Sequence, residues 1–524
     1  MQMMKLVQGL GLAAVLAAAG CKSLDITNPN NPDGPRALAD PAAIEAVAGG
    51  SIRIWINTYE QLEAGGPLVT QAQTYSASWN NFNMNFYSSI DADGTRNSRP
   101  WQNNPAASAR TSIEAYWNGY YSSLGLANSV LKAIRVNGLV INNAADTKRA
   151  ETIAQLMQGA SLSGIAMNYD KGYILDETSD LGALAYSNRK QVRDAAMLAF
   201  DATIALATAN TFTTPSGWAN GPIYTNVQVA KIARTMAAWL LANYPRSAAE
   251  NTAVDWARVV TYASNGMSVG TRFDFIFIGD GCAAWCAEVI YWFNSIDTGR
   301  LSTRVARLLS AAQVHPYPVG GNPQPNTGNS PDRRLGDGSF GSAALTAGFG
   351  TVPRTVNGGS DFAYSTQAIF NNARGTYHQS NIAHVRYDAS GQQSPTSIYG
   401  GNGPAPVFSA AQNDLLWAEG LLRQAAPNLA TAATLINNTR VTRGGLTPAA
   451  AGDGATVLMT RLQYEMEIEL LGLGASTYYL RRRIDGLLPG TPREMPVPAK
   501  ELGVFGQPLY TWGGSGPANS PTPP

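Results

Sequence analysis

Cysteine is nearly absent: the 524 residues hold three, Cys21, Cys282 and Cys286. That count excludes a disulfide-stapled scaffold and leaves the spacing C-x3-C around Trp285 as the one place for a local bridge. Histidine is as scarce, and His315, His378 and His384 fall in no ligand spacing such as H-E-x-x-H. The expectation is therefore no metal centre and no cofactor. Charge is thin too: charged residues make up 14% of the chain, and 37 basic side chains nearly cancel 36 acidic ones. Such a balance argues against a nucleic-acid footprint. No stretch beyond the N-terminus approaches the roughly 20 uninterrupted apolar residues of a spanning helix. No G-x-S-x-G elbow, Walker loop or dinucleotide fingerprint stands between a strand and a helix, so the chain reads as a non-enzyme. A glycosidase built on a spatial pair of carboxylates is the alternative, because such pairs need no fixed spacing.

What the chain does have begins at its N-terminus. Lys5, an apolar run from Gly9 to Ala19 and then Gly20-Cys21 follow the order of an export signal. Residues 1–20 are read as a lipoprotein signal peptide, cut so that Cys21 carries the lipid; cleavage near Ala19 without lipidation is the alternative. Residues 21–39, with Asn28-Pro29-Asn30-Asn31-Pro32, are read as an extended tether, since each proline disfavours helix at the residue before it. Asp40-Pro41 then opens a helix: aspartate caps free amides, and proline at the first helical position forfeits no hydrogen bond.

The domain is expected to run over 40–513 and to be mostly α. Ile232, Met236, Trp239 and Leu240 share one helical stripe, and after Tyr244-Pro245 a second stripe carries Trp256, Val259, Val260 and Ala263. Leu415, Ala418 and Leu422, then Ala432, Leu435, Ile436 and Thr439, repeat the arrangement. Paired helices of this kind predict a scaffold of tetratricopeptide-like hairpins, although no clean 34-residue period is visible. Residues 315–410, rich in Gly, Pro, Asn and Ser, predict a loop-rich irregular lobe, and residues 514–524 a disordered tail.

Polarity comes from Gly, Asn, Ser and Thr, alongside 11 Trp and 22 Tyr. An aromatic face set among amides suits a neutral, hydroxyl-rich ligand, because the ring takes the apolar face of a sugar while amides take its hydroxyls. Tyr75, Trp79, Phe82, Tyr87 and Trp101 lie in Asn-rich sequence without a clean apolar stripe, and Trp285, Tyr291 and Trp292 form a second group. The candidate ligand-binding residues are Tyr75, Trp79, Trp101, Trp285, Tyr291 and Trp292. Asp91-Ala92-Asp93-Gly94-Thr95 resembles the start of a calcium loop, but the later acidic ligand is missing, and a solvated turn is the better reading.

Several segments, in order, resemble the SusD/RagB family of outer-membrane nutrient-binding lipoproteins. They are Leu24-Asp25-Ile26-Thr27-Asn28-Pro29; Trp117, Tyr121 and Ala127-Asn128; the Trp239-Leu240 and Trp256 hairpin; and Asp332-Arg333-Arg334-Leu335. The C-terminal matches are Trp417-Ala418-Glu419 with Asn437, Arg440, Arg443, Gly444 and Leu446, then Glu465, Glu469-Leu470, Gly474, Leu480 and Arg482, and finally Pro496-Val497-Pro498 with Glu501. Met466, Leu473, Ser476 and Tyr479 stand where the family usually has Arg, Glu, Arg and Asp, which predicts a more apolar local core. The resemblance implies a surface-exposed, lipid-anchored outer-membrane protein without catalysis. It would bind a nutrient, an oligosaccharide or a peptide with the glycan preferred, and pass it to a TonB-dependent outer-membrane transporter of the SusC/RagA kind. A scaffold with no small ligand is the reading from another class.

Overall fold

The computed structural model describes residues 38–77, 80–88, 99–293, 299–315, 330–335, 360–364, 379–384, 386–387 and 402–521. The export signal, Cys21, most of the tether, Trp79, the Asp91–Thr95 segment and most of 315–410 lie outside them.

The first long helix, α1, runs over Pro41–Tyr59 and starts as its sequence requires: the Asp40 side chain accepts from Ala42 N, and Pro41 sits at the first helical position. A short α2, Leu62–Gln71, leads to α3, Thr111–Leu131, and α4, Ala144–Asn168. Then come α5, Arg189–Ala209, and α6, Asn226–Asn243, each opened by a capping box, from Asn188 with Gln191 and from Thr225 with Gln228. Next is α7, Trp256–Ala263. The C-terminal helices are α8, Ala410–Arg423, α9, Leu429–Arg440, α10, Gly454–Glu469, and α11, Ser476–Arg483.

Neighbours in the chain are neighbours in space: α3 packs on α4, α4 on α5, α5 on α6, α6 on α7, α7 on α8 and α8 on α9. This is the stacked-hairpin scaffold the paired stripes predict. Each predicted stripe faces inward, with Ile232, Met236, Trp239, Leu240, Val259, Leu415, Ala418 and Ile436 all buried. The strands are few and short among the described residues. The longest pair joins β1, Phe275–Asp280, to β2, Asn402–Phe408, antiparallel. Phe362–Tyr364 and Ile382–His384 form a second pair within the 315–410 region.

Helix α4 has no stripe, because every residue from Ala150 to Asn168 is buried. Small residues let its neighbours approach closely. A Cβ at Gly164 would lie 2.5 Å from the ring of Tyr120, and one at Gly159 3.0 Å from that of Phe200.

The C-terminal segment closes over the end of α4, and residues 514–521, expected to be disordered, belong to it. Arg493 N donates to Ala518 O at 2.8 Å, Gly513 N to Pro517 O at 2.7 Å, and Ser520 N to a Glu494 carboxylate oxygen at 2.5 Å. The reading of a free tail fails because Gly513 and Gly514 adopt positive φ and turn the chain back, a path open to glycine, onto acceptors at 490 and 517.

Asp170 anchors the same closure. Its carboxylate accepts from Tyr510 Oη at 2.8 Å, and its N–H donates to Met495 O at 3.2 Å. Burial, and then the nearby Glu494 carboxylate, push Asp170 up from 3.8 to about 7. A raised native value means the folded state holds the extra proton. The contribution to stability is complete below the unfolded value and is lost as pH rises through about 7. The melting temperature of Asp170→Asn, relative to the parent, should therefore rise from about pH 4 to pH 7 and level off above it, since Asn keeps an acceptor for Tyr510 without a charge. Parallel pH profiles for the two proteins would refute the assignment.

Candidate functional site

Five of the six predicted ligand-binding aromatics are buried in the core, Trp285 among them at 6% exposure. Tyr75 stacks on Phe293 with ring centroids 4.3 Å apart, and its hydroxyl is 2.9 Å from His384 Nδ1. Trp101 is 1% exposed and donates its indole N–H to Glu494 O at 2.9 Å. Tyr291 and Trp292 are buried on the short helix Glu288–Phe293, where Trp292 meets the Phe82 ring edge-on at 5.6 Å. These positions correct the sequence reading. Asn103, in the same Asn-rich sequence, is a buried strut: its Nδ2 donates to Val497 O and Tyr510 O. Trp79 lies outside the described residues.

Trp285 opens onto a cleft of about 710 Å³. One wall is a face of α1: Ala42, Glu45, Ala46, Gly49, Gly50 and Arg53 recur at three- and four-residue intervals and line it together. Small side chains at four of these positions make the face a trough. The far wall is Trp218, in the turn Pro215–Ala219, and Trp285 closes one end. Trp218 lies so close to α1 that a Cβ on Gly49 would be 2.6 Å from its Cδ1 and 2.8 Å from its Nε1, so glycine is required there. The cleft was half-hidden in the sequence. Trp218 stands between Gly217 and Asn220-Gly221 after a proline, the same aromatic-among-turn-residues signal that drew attention elsewhere, but it is a single residue with no aromatic neighbour.

Both tryptophans are held from behind by β1. Asn220 Nδ2 donates to Ile278 O at 2.6 Å and Ile278 N to Ala219 O at 3.3 Å, which pins the Trp218 turn to the strand. After the strand, the Asp280 carboxylate accepts from the N–H groups of Ala284 and Trp285, both at 3.0 Å, and curls the chain into a tight loop. Cys282 and Cys286 are joined by a disulfide across that loop. Asn57 of α1 then clamps it, donating to Ala284 O at 2.8 Å and accepting from Cys286 N at 3.1 Å. Trp285 is thus fixed to the helix that forms the opposite wall. Its main chain has little freedom to move.

The charges in the cleft differ in their commitments. Glu45 is paired with Arg149, which also pairs with Asp146 and lies 5.6 Å from the Trp218 ring centroid. Arg53 is exposed, with no ion pair or hydrogen bond among the described residues. In the cleft of about 540 Å³ beside α5 the lining arginines are in use, Arg189 with Glu250, Arg193 with Asp194 and Arg258 with Asp201, and Lys190 alone of its cations has no partner among the described residues. A trough of small residues, the accessible edges of two largely buried indoles and a free guanidinium can hold a small ring-shaped, hydroxyl-rich molecule. Among the described residues, no cluster of His, Cys, Asp and Glu could hold a metal ion, and no helix is long and apolar enough to cross a membrane.

Neither a protein-family model nor a curated protein matches the sequence. Solved structures match over most of the chain. A SusD superfamily protein from Bacteroides vulgatus shares 14% identity, with 89% of this chain and 97% of that one covered at a TM-score of 0.55. A SusD superfamily protein from Parabacteroides distasonis shares 11% over 88% and 96%, with a TM-score of 0.55. A SusD-like carbohydrate binding protein from Bacteroides fragilis shares 12% over 85% and 86%, with a TM-score of 0.54. The mostly helical architecture described above is the one these proteins share.

Proposed function

We propose that this SusD-like fold serves, as in the SusD/RagB family the sequence resembles, to capture a glycan at the cell surface and deliver it to a TonB-dependent outer-membrane transporter, with Cys21 carrying the lipid anchor. The observation that carries the reading is the cleft on α1, a trough of small residues edged by Trp218 and Trp285 and wide enough to receive a sugar ring. The carbohydrate binding protein of the same fold supports it. So does the chemistry of the cleft, whose one carboxylate on the lining, Glu45, is locked to Arg149; a glycosidase uses two carboxyl groups at the bond it breaks. In this reading the hairpin scaffold offers the transporter a rigid face.

Two measurements test the two halves. Trp218→Ala should weaken binding to a glycan panel by roughly tenfold or more; because Trp218 is buried and packs on Gly49, the variant should also lose about 3–5 kcal/mol of stability, so affinities are compared below its melting transition, where unchanged values would sink the cleft assignment. For the anchor, Cys21→Ser should move the protein from the membrane fraction to the soluble one and abolish fatty-acid labelling. A mutant still labelled would end the lipoprotein reading.

A further inference from the structure

The uncommitted side-chain polar groups of the cleft are donors. Arg53 has no partner among the described residues, and neither do the indole N–H groups of Trp218 and Trp285, neither of which is sealed from solvent. The acceptors nearby are taken. Glu45 is held by Arg149, the Asp280 carboxylate by the amides of Ala284 and Trp285, and the carbonyl of Pro215 by Trp218 N at 3.1 Å. A neutral sugar offers donors and acceptors in similar number and would leave this bias unused. A sugar bearing a carboxylate supplies surplus acceptor oxygens and a charge that a guanidinium grips through two parallel hydrogen bonds.

Position agrees with this. Arg53 is eight residues beyond Glu45 on α1, about 12 Å along the axis, so the free cation and the neutralised carboxylate occupy opposite ends of the trough. A ligand of one to three rings can set its carboxylate on Arg53 while it lies along the trough of small residues against the edges of Trp285 and Trp218, clear of Glu45. We infer that the cleft selects acidic sugars, uronic or sialic acids within an oligosaccharide, and that Arg53 is the specificity-determining residue. This deepens the glycan-binding reading and rests on it.

The test uses the mature full-length protein, with trigalacturonate and sialyllactose as probes. Each is paired with its methyl ester, the same sugar without the charge, and a neutral panel is run alongside. Calorimetry at low salt should give the acids an advantage over their esters on the order of tenfold, and in Arg53→Gln acid and ester should agree within about twofold. Esters or neutral glycans that bind as tightly as the acids, or a preference that survives Arg53→Gln, would overturn the acidic-sugar assignment and leave glycan binding intact. If no member of either set binds, the glycan reading falls and this inference falls with it.

Discussion

Chains carrying Arg334→Met should unfold far more easily than the parent, with a loss of about 3–5 kcal/mol, the usual cost of removing one partner from a buried ionic cluster. Arg334 is completely buried, and its guanidinium contacts three carboxylates: Asp332 at 2.8 Å, Glu465 at 2.9 Å and Glu469 at 3.1 Å. Tyr464 Oη donates to Asp332 at 2.7 Å, Arg443 Nε to Glu469 at 2.9 Å, and Arg386 Nη1 is 3.0 Å from the other Glu469 oxygen. Burial opposes the charge on Arg334, but Asp332 and Glu465 more than offset it and raise its pKa. Methionine fills similar space and leaves those carboxylates to a smaller positive charge, so the folded state must either keep an unmatched anion or bind a proton. The deficit, read from urea unfolding, should therefore shrink as pH falls toward 4. A variant within about 1 kcal/mol of the parent at pH 7, the range of an exposed pair, would show that the cluster does not hold the lobes together.

The same cluster explains why the resemblance was legible at so low an identity. Asp332-Arg333-Arg334-Leu335, Arg440 and Arg443 with Gly444, and Glu465 with Glu469 are separated by up to 137 residues in the chain, as 332 and 469 show. In space they meet: besides the ion pairs, Arg333 N donates to Gly444 O at 2.8 Å. Segments that supply charges to one buried node depend on one another, so a change in one leaves an unmatched charge in the others. The four departures at Met466, Leu473, Ser476 and Tyr479 are all buried, and Met466 and Leu473 join the aliphatic cluster of Leu458 and Leu462. The apolar core read from those substitutions is present, beside an ionic cluster that survives.

Helix caps and stripes were legible because capping and amphipathic burial are local or periodic, as at Asp40-Pro41 and in α6. Helix α4 was not, since a helix buried on all sides has no polar face to set a period, and its Gln155, Gln158, Ser161 and Ser163 are inside. The ligand-site aromatics failed for a related reason. Whether Trp101 or Trp285 faces solvent depends on which distant backbone needs a donor, and Glu494 O claims the indole of Trp101. No sequence window around residue 101 contains residue 494.

Glu419 and Arg483 make a second node, and their removal should be as costly singly and far cheaper together. Arg483 Nη1 and Nη2 reach the two oxygens of Glu419 at 2.6 and 2.5 Å, with both side chains within 2% of full burial, and Arg423 Nε adds a contact at 2.7 Å. Asn243 Oδ1 and Asn251 Oδ1 accept from Arg483 at 3.2 Å each, so the pair ties α8 and α11 to the α6 end of the scaffold. Burial opposes ionisation of Glu419, yet the Arg483 guanidinium holds its carboxyl below the usual range. A lowered native value contributes stability that is present above the unfolded carboxyl pKa and is lost as pH falls through the native one. Glu419→Gln should therefore lose about 3–5 kcal/mol at pH 7, with the gap to the parent closing at acid pH. Glu419→Leu combined with Arg483→Met removes both charges and keeps the volume, and it should recover most of that loss, because an apolar pair in place of a buried ion pair is often neutral or better. Recovery would show that the pair sets which helices meet more than how strongly they hold; a double variant as unstable as the single one would place the stabilisation in the hydrogen bonds to Asn243 and Asn251 instead.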